Sequence, residues 1–204
     1  MVQEVPLYKQ SFGYSCGPAS LMMVLGSLDG DITLDMDQEI SIWEDANLGE
    51  SRATSAHGLA LAAMRKGFRA RVFADTEGIG FTRRLKRHFP AIDVDRMDAL
   101  FTETRERALA LGLAEVRSEI TLDTLRGELG KGIKPIVLIS TRLMGELVAI
   151  PHWVVITAMD ERNVTIQNPE HATVERYSLK RFNRHLGFRG SRRVVSIFHQ
   201  DGTP

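Results

Sequence analysis

Gln10-Ser11-Phe12-Gly13-Tyr14-Ser15-Cys16-Gly17-Pro18-Ala19-Ser20 runs without a break into the apolar stretch Leu21 to Leu28, and it holds the only cysteine of the chain. The apolar stretch reads as a helix. Pro18 has a fixed φ and no amide hydrogen, so it fits only the first turn and puts the helix start within a residue or two of Cys16. First-turn amides lack an intrahelical acceptor and give that end of the helix roughly half a positive charge. A thiol there is favoured as the thiolate, the nucleophilic form. Gly17, having no side chain, is expected to leave the backbone beside the thiol open to a substrate. A lone cysteine is also commonly a small buried hydrophobe, so the rest of the chain must supply a base if Cys16 is to react.

There are six histidines, and His152 has the most suggestive setting. It opens His152-Trp153-Val154-Val155-Ile156-Thr157-Ala158-Met159, a strand-like run of β-branched and aromatic residues. Asp160 to Asn163 then reads as a turn, and Val164 to Gln167 as the returning strand, ending in Asn168-Pro169. A hairpin sets its two ends side by side, so His152 and Asn168 are expected to meet. The asparagine carbonyl then accepts the imidazole N–H and fixes the ring's tautomer and plane.

The chain order Gln10, Cys16, His152, Asn168 resembles that of the papain-like cysteine peptidases. In that superfamily a glutamine shortly before the nucleophile donates its side-chain amide to the oxyanion, and a strand-borne histidine is oriented by Asn or Asp. The segments Gln10…Cys16-Gly17-Pro18-Ala19-Ser20, His152-Trp153-Val154-Val155-Ile156 and Gln167-Asn168-Pro169 are most similar to cysteine peptidase family thirty-nine, the bacteriocin-leader-processing peptidases. Within it they look most like a stand-alone soluble group called peptidase-like. Ala53 to Ala63, Lys66-Gly67-Phe68, Ile139 to Leu143 and Pro151-His152-Trp153 extend the resemblance over most of the chain. One position departs: that branch usually carries Asp before the proline, where this chain has Asn168. The imidazolium therefore loses a countercharge, and Asn168→Asp is expected to keep or raise activity.

The resemblance implies an α+β papain-like fold in one domain over 1–204, with a helical lobe at about 10–130 carrying the nucleophile and a sheet lobe at about 133–200 carrying the His/Asn pair. It implies a thiol-dependent amide hydrolase acting on a peptide or protein substrate through a Cys16 thioester, with no cofactor. An acyltransferase or transpeptidase using the same thioester, and a noncatalytic peptide-binding relative, stay open on the residues alone.

Composition agrees with a compact enzyme. The chain has 204 residues, 43% of them hydrophobic, enough for a sizeable core. Lys plus Arg and Asp plus Glu number 26 each, so no global charge points to nucleic acid. A single cysteine forbids an intrachain disulfide and suits a reducing compartment. With no signal-like N-terminus and no apolar run of about 18 residues, a cytoplasmic protein off the membrane is expected. No Cys/His spacing suggests a metal site.

Charge is segregated along the chain. Residues 10–51 carry eight acids and no Lys or Arg, whereas residues 180–193 carry six bases and no acid. Two solvated faces, or steering of a charged partner, are the available readings.

Periodicity predicts helices at Asp35–Ala46, from a Thr54 or Ser55 cap through Met64, at Phe81–Phe89, Asp98–Leu113, from Thr121 to Gly130, and at Leu179–His185. Strands are expected at Arg69–Ala74, Pro135–Ser140, the His152 hairpin and Arg193–Phe198. His57 and His171 read as capping or surface residues. Between Ser140 and His152, the apolar segment Thr141 to Pro151 must border any cleft at His152. Leu143, Met144 and Leu147 are therefore expected to line a substrate subsite or lid, with Gly145 as its flexible point.

Overall fold

The computed structural model describes residues 4–80 and 93–203, so the helix expected over 81–89 lies outside the described residues. Helix α1 (Cys16–Leu28) begins at the cysteine, as Pro18 dictates. Helix α2 (Met36–Ala46) is capped by Asp35, whose carboxylate accepts the Gln38 N–H at 2.9 Å. Ser55 does the same for α3 (Ala56–Arg65), accepting from Gly58 N–H at 2.9 Å. After β1 (Arg69–Ala74) come α4 (Val94–Ala110), β2 (Ala114–Arg117), α5 (Leu122–Gly130) and β3 (Ile136–Ser140). The chain closes with β4 (Pro151–Met159), β5 (Asn163–Asn168), β6 (Thr173–Ser178), α6 (Leu179–His185) and β7 (Arg193–Phe198).

Two boundaries and two strands differ from the sequence expectation. Helix α4 starts at Val94 because the Asp93 carboxylate caps it, accepting from Arg96 N–H at 3.0 Å. It stops at Ala110, two residues before Gly112 takes a left-handed φ of 92°. Strands β2 and β6 were not expected: β2 has only four residues, and β6 is largely polar with little apolar signal.

Among the described residues the strands form one seven-stranded sheet in the order β2-β1-β7-β3-β4-β5-β6. Every neighbouring pair is antiparallel except β1 with β2, which α4 connects. The early strands β1 and β2 thus extend the later sheet through β7, and strands are not confined to the second part of the chain. Strand alternation divides the core between two faces. Leu138, Trp153, Val155 and Val195 meet the layer of α1 to α4. Val137, Val154, Ile156 and Val194 meet Leu125 of α5 and Phe182 of α6. Residues 16–25 of α1 are all buried, which explains a helix apolar on every side. Each of its fully buried Leu and Met side chains contributes roughly 1.5–3 kcal/mol.

Two ties hold the pieces that matter most. Ser20 Oγ of α1 donates to the Trp153 carbonyl of β4 at 3.2 Å, fixing the cysteine helix against the histidine strand. The N-terminal segment crosses the end of β5: Gln10 N–H donates to Pro169 O at 2.8 Å, and Gln167 Nε2 donates to Val5 O at 2.8 Å.

Candidate active site

Cys16 is the first residue of α1, and Ser15 does not cap that helix with its side chain. The Ser15 hydroxyl turns back instead, donating to Phe12 O at 2.9 Å and accepting Phe12 N–H at 3.1 Å. Burial pushes the Cys16 thiol up, but the charge and hydrogen bond of His152 and the N–H groups of Trp153 and Gly17 outweigh it. The net result is a thiol more acidic than usual.

His152, second in β4, is buried, and its Nε2 lies 2.9 Å from Asn168 Oδ1. Burial pushes its pKa down, yet the Cys16 sulfur, the Asn168 hydrogen bond and the Glu170 charge lift it above the ordinary imidazole value. The two shifts run in opposite directions, each towards the charged form, thiolate for Cys16 and imidazolium for His152. With Nε2 held by Asn168, Nδ1 is the nitrogen left for the sulfur.

Asn168 is fully buried and has four partners. Its Oδ1 also accepts Glu170 N–H at 3.0 Å, while Nδ2 donates to Glu175 Oε1 at 2.9 Å and to Met144 Sδ at 3.0 Å. Glu175 also accepts Thr173 Oγ1 at 2.9 Å and the Tyr177 hydroxyl. Burial raises the Glu175 carboxyl, but the Tyr177, Asn168 and Thr173 hydrogen bonds leave it below its usual value.

Gln10 lies on the wall of the same cleft as Cys16 and His152. Its Nε2 donates to Phe12 O at 2.7 Å, which uses one amide hydrogen and leaves a second. Behind it stands Glu39, fully buried on α2, whose two oxygens accept Ser11 N–H at 2.9 and 3.1 Å. Glu39 Oε2 also accepts Tyr8 Oη at 2.9 Å.

The cleft measures about 540 Å³, within the usual range for ligand sites. Its wall is mainly apolar, with Tyr14, Thr54, Glu170 and Arg189 among its polar members. The Tyr14 ring is stacked on Phe12 at 5.4 Å and carries the Arg52 guanidinium at 5.3 Å.

The structure corrects several expectations of the sequence reading. Gly17 does not serve as an opening: a Cβ there would meet Thr54 Oγ1 at 2.3 Å, so glycine is required for packing. Leu143 does not line the cleft; it is fully buried among the residues under the other sheet face. Met144 turns to the Asn168 amide, and Leu147 is 89% exposed. The segment forms a 3₁₀ turn at Thr141–Met144 that ends on Gly145 at φ 98°, a left-handed position that suits glycine without any hinge. Thr141 closes the loop by donating Oγ1 to Val148 O and accepting Ile150 N–H, each at 3.0 Å. The loop residues that do line the cleft are Thr141, Val148, Ala149, Ile150 and Pro151.

His57 is not a surface residue either. It is 1% exposed inside α3, with Nε2 3.2 Å from Glu115 Oε1. Burial holds it down to about 4, so it is neutral at pH 7 and donates this bond. Of the segregated charges, Glu39 and Arg193 face inward and belong to no solvated face; Arg193 binds Asp75 and the carbonyls of Thr76 and Gly78.

Sequence reading missed Glu39 and Glu175. Glu175 had a usable signal. Asn168 pairs with Thr173, so Glu175, two residues on, shares its face of the sheet diagonally.

Among the described residues no cluster of His, Cys, Asp and Glu forms a metal site, and no helix is long and apolar enough to cross a membrane. A mixed α+β chain with a buried cysteine, histidine and asparagine linked at a helix start is the arrangement found. The chain belongs to the Peptidase_C39-like family, whose profile matches residues 5–182. No curated protein matches the sequence.

Proposed function

We propose that the protein is a cysteine peptidase that cleaves a peptide or amide bond through a thioester on Cys16. The observation that carries this reading is the buried set Cys16, His152 and Asn168, with His152 Nε2 2.9 Å from Asn168 Oδ1 and with thiol and imidazole each shifted by the other towards its charged form. Membership of the Peptidase_C39-like family supports it.

In this mechanism the Cys16 thiolate attacks the carbonyl carbon while His152 holds the proton. The developing oxyanion lies between the second Gln10 amide hydrogen and the Cys16 backbone N–H. His152 then gives its proton to the leaving amine, and water resolves the acyl-enzyme with His152 as base. Removing one oxyanion donor costs about 100- to 1000-fold in kcat, so Gln10 ranks just below the Cys/His pair. Val148, Ala149 and Ile150 are the loop residues proposed to meet substrate. A thiol that must stay reduced suits a cytoplasmic setting.

The test is mass spectrometry of a peptide library incubated with the wild-type protein, Cys16→Ala and His152→Ala. Cleaved fragments from the wild type alone support the reading. Ligated products alone identify an acyltransferase, and peptide binding retained by Cys16→Ala without any product identifies a noncatalytic binder.

A further inference from the structure

Asn168 stands where a carboxylate would give His152 a countercharge, and a carboxylate lies immediately behind it. Glu175 Oε1 accepts Asn168 Nδ2 at 2.9 Å, while Asn168 Oδ1, on the other side of the same amide, faces His152 Nε2 at 2.9 Å. The fully buried amide bridges the two groups. Its orientation is set from both sides: Glu170 N–H requires an acceptor at Oδ1, and the Glu175 carboxylate requires a donor at Nδ2. Strand pairing fixes the spacing, because β5 and β6 are in register from Asn163 with Ser178 to Asn168 with Thr173.

We propose that Asn168 and Glu175 act as one unit with a single negative charge, in which Glu175 is a positioning residue that stabilises the His152 imidazolium through the amide. A carboxylate pulling on Nδ2–H polarises the amide and makes Oδ1 a stronger acceptor, as neighbouring hydrogen bonds do in a low dielectric. This deepens the peptidase reading and rests on it. Of the two outcomes expected for Asn168→Asp, activity kept or raised, it leaves only the first. Two carboxylates at this separation cannot both ionise freely, so the new one holds a proton instead of adding charge.

The groups that face this unit are Cys16, His152, Glu170, His171, Tyr177 and the Met144 sulfur. Burial, with the Glu175 charge behind it, pushes the Tyr177 phenol up, so it stays neutral in the neutral range.

The experiment is NMR titration of the His152 imidazole in the full chain, assigned with His152→Gln, alongside thermal melts. Glu175→Gln is expected to lower the His152 midpoint by about one pH unit, a tenfold loss of imidazolium preference. The double variant Asn168→Asp/Glu175→Gln restores the single charge and is expected to return the midpoint to the wild-type value or above. Asn168→Asp alone is expected to give no rise. A Glu175→Gln midpoint equal to that of the wild type overturns the proposal, as does a double variant that stays at the Glu175→Gln value. If Glu175→Gln does not fold, the double variant against the wild type carries the comparison: a midpoint below the wild-type value overturns the proposal. A wild-type midpoint at or below that of free histidine instead defeats the thiolate–imidazolium pair, and with it the function proposed above.

Discussion

Gly17→Ala separates two explanations of the residue beside Cys16. An added Cβ lies 2.3 Å from Thr54 Oγ1, 3.1 Å from Trp153 Cδ1 and 3.3 Å from Leu59 Cδ1. Thr54 Oγ1 must move by about 1 Å to reach ordinary contact distance, against a buried wall. Thr54 Oγ1 has no hydrogen-bond partner, so the cost is steric and no bond is lost. Overpacking of this kind costs about 1–3 kcal/mol. Alanine returns up to about 1 kcal/mol of helix propensity over glycine, so from the middle of that range, about 2 kcal/mol, the net loss is about 1–2 kcal/mol. For a chain of this size that lowers Tm by about 2–8 °C. Thr54→Ala removes the offending atom, so Gly17→Ala/Thr54→Ala should be at least as stable as Thr54→Ala alone. Urea unfolding gives the stabilities, and iodoacetamide alkylation of Cys16 reports whether the thiol stays reachable. A Gly17→Ala protein with wild-type stability and slowed alkylation would refute the packing argument and return Gly17 to its expected task of uncovering the thiol. So would a double variant that gains nothing.

Two other outcomes follow from buried polar groups away from the thiol. His57 has its pKa lowered to about 4, so the unfolded chain takes up its proton near 6.5 and the folded one does not; stability should fall as pH drops from 6.5 towards 4, by about 3 kcal/mol. Glu115, held to about 2 mainly by Arg105, adds loss in the same direction from 4.5 down, and His57→Gln should remove only the upper part of the slope in melts recorded between pH 4 and 7. Glu39→Gln weakens charge-assisted bonds to Ser11 and Tyr8 and should cost about 1.5–3 kcal/mol in urea unfolding. Because Ser11 follows Gln10, the same change should lower kcat more than it alters KM; equal effects on both would remove Glu39 from the support of Gln10.

The parts of the fold legible in the sequence are those with a local cause. Pro18 marks the start of α1, Asp35 and Ser55 cap their helices, and Asp160 makes the β4–β5 turn by accepting Arg162 and Asn163 N–H at 2.7 Å each. Such signals lie within a few residues of their effect. The β4–β5 hairpin also brought His152 to Asn168, since a hairpin's ends must meet. Glu39 was illegible because its partners Tyr8 and Ser11 lie about thirty residues away and no periodicity links them. Leu143 and Leu147 have the same chemistry but opposite fates, decided by a 3₁₀ turn whose direction depends on the Thr141 hydrogen bonds to the far end of the loop. His57 looked like a cap because its burial partner Glu115 sits on β2, a strand too short to announce itself.

The bond from Gln10 N–H to Pro169 O joins the two ends of the site across most of the chain. Cys16 leaves the ribosome 136 residues before His152, and Asn168 and Glu175 come later still. At roughly 5–20 residues per second, the thiol spends on the order of 7–27 s attached to a nascent chain that has no base for it. During that interval the thiol lacks both the charge and the hydrogen bond of His152 that lower its pKa in the folded chain. Under the proposed function, the thiol and the imidazole that would activate it are thus separated in time, and a chain stalled between them carries the first without the second.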